Sequence, residues 1–529
     1  MSRRDRGPAG LPDWLDVLVL GGGPAGTWAA LAAAEAGARV ALADKGWCGT
    51  SGAAAAGGNN LWFLPPEGDA RERAIAARMR EGGDLADPVR MAGALARTWE
   101  AVGELADAGY PFPPSRTSGR HLGSLQGPEY MRLQRRRVRR AGVVVADQSP
   151  AVELLVDDDG GVIGAAGVHR QAGNAPWSVR AGAVVLATGG CAFLSGALGC
   201  NVDTGDGTLM AVEVGAELSG MEFSSQYGTA PAFGAQTKGL MYQFASYFRA
   251  DGTPLDLPPM AGPALQRAML EGPVHARLDR AEPDVREAMR WSQPNFFLPF
   301  DKAGVDPFHE TFPVRAVCEG TVRGTGGVAV PGHGCATTVP GLYAAGDAAS
   351  REDITGGITG GGSHNGAWAI SSGTWAGREA ARSAATRRSR TAVAVPAGGA
   401  GVRPRGGRSR DAGAVVAAVQ ERVLPLELNR FRTGRGLRES LAVLDPLWEE
   451  VRAGLGPTER PGTRHREAAA MVAHARWMYR AALARTESRA MHLRDDHPGT
   501  DPSQTRRLRV TGLDDVDVRP AAVVREAAS

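Results

Sequence analysis

At 529 residues the chain is long enough for about two or three domains, and its composition is that of a globular protein. A net charge of +3 is too small to imply a nucleic-acid partner, and no apolar run approaches the ~18 residues needed to span a membrane. The five cysteines (Cys48, Cys191, Cys200, Cys318 and Cys335) form no C-x-x-C pair, which excludes an internal iron–sulfur cluster of ordinary spacing and a disulfide framework, and fits a reducing cytoplasm.

The first predicted element is a strand, Val17 to Leu20, that runs straight into Gly21-Gly22-Gly23-Pro24-Ala25-Gly26. Gly21 permits the tight turn, Gly23 lets the backbone approach a pyrophosphate, and Gly26 lets the next helix pack closely on the strand. That helix, Thr27 to Ala36, is alanine-rich and ends at Gly37; its N-terminal amides and dipole face the phosphate. A second strand, Ala38 to Ala43, delivers Asp44 eighteen residues after Gly26, where a carboxylate accepts hydrogen bonds from ribose hydroxyls. In a chain with 72 glycines a bare glycine triplet is weak evidence. Strand, loop, helix, strand and acid in that order are strong evidence for a dinucleotide site, to which Pro24, Ala25 and Lys45 belong.

Further along, Val143 to Ala146 and Val152 to Val156 read as strands, with Asp157 to Gly161 as a hairpin turn. Alternating strand and helix signals mark 13–225 as the first part of the dinucleotide domain. Residues 226–315 change character, becoming aromatic and proline-rich, and read as an inserted capping domain; 316–382 return to the first domain. Segment 383–411 is Arg, Gly, Ala, Ser and Pro with almost no large apolar residue, so it reads as a disordered linker. Its seven arginines between 387 and 410 offer a second reading, a positive patch for an acidic redox partner. Residues 412–529 read as a helical C-terminal domain, with Val415, Val416, Val419 and Val423 at helix spacing and a terminal hairpin from Leu508 to Val518.

The first unit alone does not separate NAD from FAD. Val339 to Asp347 resembles the segment of two-dinucleotide-fold flavoproteins whose aspartate binds the ribityl chain of FAD, and Val184 to Gly190 resembles their middle strand. Asn201 to Gly207, Gly215 to Leu218, Met221-Glu222-Phe223, Glu487 to His492 and Asp495 to Pro498 then resemble the flavoprotein subunits of the succinate dehydrogenase and fumarate reductase superfamily. That group also holds L-aspartate oxidase and the alpha subunit of adenylylsulfate reductase, and short motifs put this chain nearer those two branches. The resemblance implies an α/β fold, with a Rossmann-like FAD-binding domain, an inserted α+β capping domain closing over the flavin, and a C-terminal helical domain. It also implies FAD contacts at Ser51, Gly52, Gly57, Gly58, Ala151, Ala187, Thr188 and Gly189, and at Asp206, Gly346, Asp347, Gly362 and Ser363. Ser51 stands where succinate dehydrogenases carry the histidine that bonds to the flavin, so FAD is expected to be non-covalent.

The substrate signature departs from the family pattern. Tyr227, Lys238 and Val322 stand where the family's dicarboxylate ligands stand, and the family's active-site arginine falls near Pro263. Without that charge complement a buried dicarboxylate is poorly stabilised, so succinate and fumarate are not expected as substrates. Four residues at positions facing the ring are the catalytic candidates. Tyr227 is a candidate acid or base if its pKa is tuned from ~10. Arg323 is a candidate bidentate anion ligand, His364 a proton shuttle, and Asn60 a polar contact. A packing or loop role is the competing reading for each. Cys48, Arg249 and Arg267 are weaker candidates, for which packed thiol and solvated face are the plainer readings.

The expected function is therefore that of an FAD-dependent dehydrogenase or reductase acting on a small polar or anionic organic substrate. With no second glycine fingerprint and no cluster ligands, its electrons would pass through a separate carrier, such as a ferredoxin-like iron–sulfur protein. An oxidase like L-aspartate oxidase and a non-catalytic flavoprotein subunit are the alternatives.

Overall fold

The computed structural model describes residues 10–115, 119–237, 239–258, 261–361, 363–387, 393–406, 410–455 and 463–522. The strand Trp14–Leu20 lies inside an eight-stranded sheet, between Ala175–Leu186 and Val40–Ala43, and runs parallel to both. Val144–Ala146 and Leu342–Ala344 join in parallel on the outer sides of those two neighbours. Val17 to Leu20 are buried on both faces, which is why the segment is apolar at every position rather than alternating. The register sets Leu20 opposite both Leu186 and Ala43, and Leu186 opposite Ala344. The loops that begin at Gly21, Asp44, Ala187 and Ala345 therefore leave the sheet side by side at one edge, where ligands of open α/β sheets bind.

Two helices lie against one another over this sheet, Pro24–Glu35 and His364–Thr386. Their contact depends on small residues. A Cβ on Gly373 would sit 2.4 Å from the Ala25 carbonyl oxygen, and one on Gly377 would sit 2.1 Å from that of Ala29. The rest of the sheet is antiparallel, made by Ala151–Val156, Val162–His169 and the first half of Ala175–Leu186.

The cap has a five-stranded antiparallel sheet of its own, in the order Tyr227–Pro231, Phe312–Cys318, Val274–Arg277, Ser246–Arg249, Pro254–Leu255. Three helices, Gly262–Glu271, Pro283–Ser292 and Pro294–Ala303, accompany it. Its core is a separate aromatic cluster that includes Tyr242, Tyr247, Phe296, Phe297, Phe300 and Phe312. The C-terminal domain contains the long helices Ala412–Val423, Gly434–Gly454 and Thr463–Ala484. Its terminal hairpin, Leu508–Thr511 with Asp517–Pro520, does not stand alone; it continues a sheet formed with Leu218–Ser219 and Gly327–Val328. Among the described residues no helix is long and apolar enough to cross a membrane.

The expectation of a disordered linker over 383–411 needs correction for its described residues; 388–392 and 407–409 lie outside them. The helix that begins at His364 continues to Thr386, and residues 393–406 are ordered against the FAD-binding half. Val395 and Pro396 pair with Val156 and Leu155 as an outer strand of the main sheet. The Gly398 and Gly399 amides donate to Glu153 and Glu213. Arg387, Arg403, Arg405 and Arg410 form ion pairs with Asp157, Glu153, Asp514 and Glu450. Backbone pairing and charge, rather than apolar burial, order this segment, and those four arginines are engaged within the chain. Arg388, Arg390 and Arg408 lie outside the described residues.

Candidate active site

A cavity of about 600 Å³ runs from the glycine loop to the junction of the cap with the C-terminal domain. At the loop, the three signature glycines have different causes. Gly21 has φ +108°, and a Cβ there would lie 2.1 Å from the Ala187 carbonyl oxygen. A Cβ on Gly26 would lie 1.8 Å from the Gly21 carbonyl oxygen, so Gly26 serves the packing of turn on helix and does not line the cavity. Gly23 has an ordinary φ of −73°, and a Cβ there would meet no described atom within 4 Å. Nothing in the protein requires glycine at 23; the space in front of it is cavity, at the N-terminus of the helix Pro24–Glu35, where a phosphate fits.

Asp44 lies at the same end, buried, and accepts hydrogen bonds from the amides of Gly22 at 2.5 Å and Gly46 at 2.7 Å. Burial raises its carboxyl pKa, against those two amide bonds. Lys45 reaches across to the C-terminal domain. Its Nζ donates to Asp206 at 2.6 Å and to Thr204 Oγ1 at 2.6 Å, and lies 2.9 Å from Glu467. Burial alone would lower its pKa, but Asp206 and Glu467 hold it above the ordinary value. Asp347, after the strand Leu342–Ala344, accepts from the fully buried Arg351. Thr188 Oγ1 and Asp203 Oδ2, on residues that line the cavity, are buried with no hydrogen-bond partner among the described residues. Burial and the neighbouring Asp347 push the Asp203 carboxyl up to about 8. The open space before Gly23 at a helix N-terminus, with Asp44, Thr188, Asp203 and Asp347 around the same cavity, fits the phosphates and hydroxyls of a dinucleotide.

Pro24, Ala25, Ser51, Gly52, Gly58, Ala151, Ala187, Gly189 and Gly346, all assigned to FAD from the sequence, also line the cavity. Gly57 and Ser363 do not. The Gly57 carbonyl accepts the Gly127 amide at 2.9 Å, and the Ser363 carbonyl accepts the Trp62 amide at 3.1 Å. Gly362 and Lys238 lie outside the described residues.

At the cap end, two catalytic candidates are displaced. Tyr227 lines the cavity, but its hydroxyl points out of it, 3.0 and 3.1 Å from the carbonyl oxygens of Val423 and Leu424 where a C-terminal helix ends. Burial pushes its pKa well up, so the phenol stays protonated and ties the cap strand to the C-terminal domain. His364 opens the helix His364–Thr386 and does not line the cavity; its ring lies on Trp62 with centroids 4.6 Å apart. Burial, and secondarily Arg78, push its pKa well down, and the positive end of its own helix opposes a charge there as well. A neutral imidazole tilted against Trp62 and off the cavity wall is not the proton shuttle expected.

Asn60 and Arg323 remain at the wall. Asn60 ends the short strand Gly58–Asn60, paired with Ser124–Gln126. Arg323 closes a one-turn helix and donates through Nη1 to both oxygens of Glu319 at 3.2 Å and to the Thr237 carbonyl at 3.0 Å. Glu319 is 1% exposed and also accepts from Thr237 Oγ1 at 2.6 Å. Sequence reasoning missed Glu319, although it sits four residues before Arg323 at the very segment where the family pattern breaks. It also missed Asp203, Gln266 and Arg430, which line the same cavity. The weaker candidates take their plainer roles: Arg249 pairs with Glu271, Arg267 pairs with Asp495, and burial pushes the Cys48 thiol up to about 12.

Comparison with known proteins agrees with this geometry. The FAD binding domain family matches residues 16–231, and the fumarate reductase flavoprotein C-terminal family matches 421–523. L-aspartate oxidase of Streptomyces coelicolor is 28% identical over 562 aligned residues, spanning 95% of this chain and 92% of that protein. Among solved structures, the FrdA chain of an E. coli quinol fumarate reductase superposes with a TM-score of 0.77 at 22% identity, covering 96% of this chain and 97% of that one. Adenylylsulfate reductase from Archaeoglobus fulgidus gives 0.76 at 17% identity, covering 97% and 96%. These two likenesses show a shared fold. The glycine loop, the cavity behind it and the two family matches converge on one conclusion: the chain carries an FAD binding domain and a fumarate reductase flavoprotein C-terminal domain, and it is an FAD-dependent oxidoreductase.

Proposed function

We propose that this oxidoreductase acts on a small anionic organic substrate other than succinate or fumarate, and that it exchanges electrons with a separate carrier such as a ferredoxin-like iron–sulfur protein. One observation carries the substrate half. At the cap end the polar groups that would match a four-carbon dicarboxylate are absent or engaged. Val322 is apolar and buried, the Tyr227 hydroxyl is turned outward, and Arg323 is neutralised by Glu319. The carrier half rests on the sequence, which has no second dinucleotide fingerprint and no C-x-x-C pair. The five free, buried cysteines support a reducing compartment such as the cytoplasm.

FAD, when bound, supplies hydride transfer. Asp44 and the first amides of the helix Pro24–Glu35 would hold its dinucleotide half, and Asp347 with Asp203 would lie by its hydroxyls. The chain must also move a proton. Glu319 is the group for that role, since its Oε1 is fixed by Thr237 and its second oxygen faces Arg323. The cap lends Leu240, Tyr242, Tyr247 and Leu265 to the cavity wall, and water displaced from that wall by a bound substrate would strengthen these contacts.

Succinate oxidation and fumarate reduction are expected to be undetectable with purified, FAD-replete protein and an artificial dye; turnover of either at ordinary enzyme rates would remove the substrate proposal. The near full-length match to L-aspartate oxidase favours a second reading, a flavin oxidase passing electrons to oxygen. L-aspartate turnover with peroxide release, or rapid reoxidation of the reduced flavin by air, would establish that reading over the carrier-linked one.

The Ser51 hydroxyl accepts the Trp47 amide at 2.7 Å. A hydroxyl in that place gives the flavin no covalent link. Acid or heat precipitation is expected to release all the yellow colour into the supernatant, and colour retained in the pellet would contradict non-covalent binding.

A further inference from the structure

Three cationic side chains among the described residues line the cavity: Lys45, Arg323 and Arg430. Lys45 is paired with Asp206 and Glu467, and Arg323 with Glu319. Arg430 has no carboxylate within ion-pair distance among the described residues, although it is 7% exposed. Its Nε donates to Gln266 Oε1 at 2.9 Å and its Nη1 to the Met491 carbonyl at 2.8 Å. No described residue accepts from Nη2. A guanidinium removed from water without a counter-charge costs several kcal/mol, roughly, and proteins rarely keep one unless something supplies the charge. Burial, and then the neighbouring Arg432, push its pKa down to about 10, which leaves it charged at neutral pH.

Arg430 is also held firmly. It follows the short helix Leu426–Asn429 and precedes Phe431–Arg432, which pair with Leu493–Arg494. Gln266, on the cap helix Gly262–Glu271, is fixed in turn by donating Nε2 to the Tyr227 carbonyl at 3.3 Å. The bond between Arg430 and Gln266 thus joins the C-terminal domain to the cap across the cavity. The wall on the cap side carries no charged residue among the described ones; Leu240, Tyr242, Tyr247 and Leu265 give it an apolar and aromatic stretch beside the neutral Thr229, Thr237 and Gln293, while Met491 adjoins Arg430 itself.

We propose that Arg430 is the recognition residue for the substrate's anionic head, and that the substrate is a monoanion, a single carboxylate on an apolar or aromatic body. The inference rests on the proposal that this cavity takes a small anionic substrate beside FAD, and it narrows the class. One unneutralised cation matches one carboxylate, Nη2 being the donor directed to it, and the apolar wall matches a body without a second charge. Gln266 is a positioning residue, which keeps the guanidinium plane fixed.

The test uses the full FAD-bound chain. Hexanoate, benzoate and 3-phenylpropanoate, each with its primary amide, and succinate are titrated while the flavin absorbance difference spectrum is followed. At least one monocarboxylate is expected to bind about 10- to 100-fold more tightly than its amide and than succinate. Arg430→Gln should abolish that preference for acid over amide while leaving FAD content and amide binding unchanged, and Arg430→Lys should restore part of it. Equal binding of acid and amide, tighter binding of succinate, no binding by any monocarboxylate, or an unaltered preference in Arg430→Gln would each overturn the assignment. If Arg430→Gln does not fold, the comparison of acid with amide in the unmodified protein still decides. The broader functional proposal fails separately, when a flavin reduced by a ferredoxin or dye supports turnover of neutral compounds and of no anion.

Discussion

Gly23→Val is expected to give a folded chain that no longer holds FAD. The backbone at 23 has an ordinary φ, and a Cβ there would point into open space, so the protein tolerates the side chain. The cofactor does not, because its pyrophosphate must come against this backbone to reach the helix amides. A loss of at least about a hundredfold in FAD affinity is expected, about 2.7 kcal/mol or more. Flavin absorbance after gel filtration reads the loss, and far-ultraviolet circular dichroism reads the retained fold. The thermal midpoint should match that of the unmodified chain stripped of FAD, since ligand stabilisation is what has gone. Gly26→Val is the contrast. Its Cβ would fall 1.8 Å from the Gly21 carbonyl oxygen, so that variant should fail to fold. If Gly23→Val keeps its yellow colour, the phosphate lies elsewhere.

Arg485→Ala should cost about 3–5 kcal/mol of stability at neutral pH, read from the urea midpoint. Arg485 is 1% exposed and lies between two carboxylates whose side chains are fully buried, Glu222 at 2.8 Å and Glu487 at 2.9 Å. It also donates to the carbonyls of Gln504 and Arg506, so it anchors the final segment of the chain to the FAD-binding half. Removing it leaves Glu222 charged, buried and unpaired. Burial already outweighs Arg485 and raises the Glu222 carboxyl. A raised carboxyl binds its proton more readily in the folded chain than in the unfolded one, so the variant's deficit should shrink as pH falls from 7 toward 5. Glu487 behaves in the opposite way. Burial alone would raise it, but hydrogen bonds from Arg489, the Asp501 amide and Arg485 hold it below the ordinary value. Its contribution is complete above the unfolded value of ~4.3 and is lost as pH falls through the lower folded value. The Glu487 contribution should therefore be lost only in acid, and a deficit of the variant independent of pH between 5 and 7 would argue against Glu222 as its source.

The dinucleotide half of the site was legible because each part of it is local. Gly21, Gly23, Gly26 and Asp44 fall within two strands and one helix, and Asp347 follows directly from its own strand; the parallel register brings those strand ends together. The cap end was not legible, because Gln266, Glu319 and Arg430 come from three separate parts of the chain and meet only in space. Tyr227 was misjudged for a different reason. A position in a motif places a backbone, and the rotamer depends on what competes for the hydroxyl, here the free carbonyls at the end of Ala412–Val423. His364 was read by the ordinary pKa of its side chain, which burial against Trp62 overrides. Segment 393–406 was read by its lack of apolar residues, a measure blind to an arginine that finds a partner such as Glu153.

That same segment gives the protein protection against self-association. Without Val395 and Pro396, the strand Ala151–Val156 would offer its unpaired amides and carbonyls to any neighbouring chain. With them, the growing edge is only two residues long and ends in a proline, which has no amide hydrogen to donate to a further strand. A stretch whose composition promises a loose tether instead blunts one edge of the main sheet against other copies of the protein.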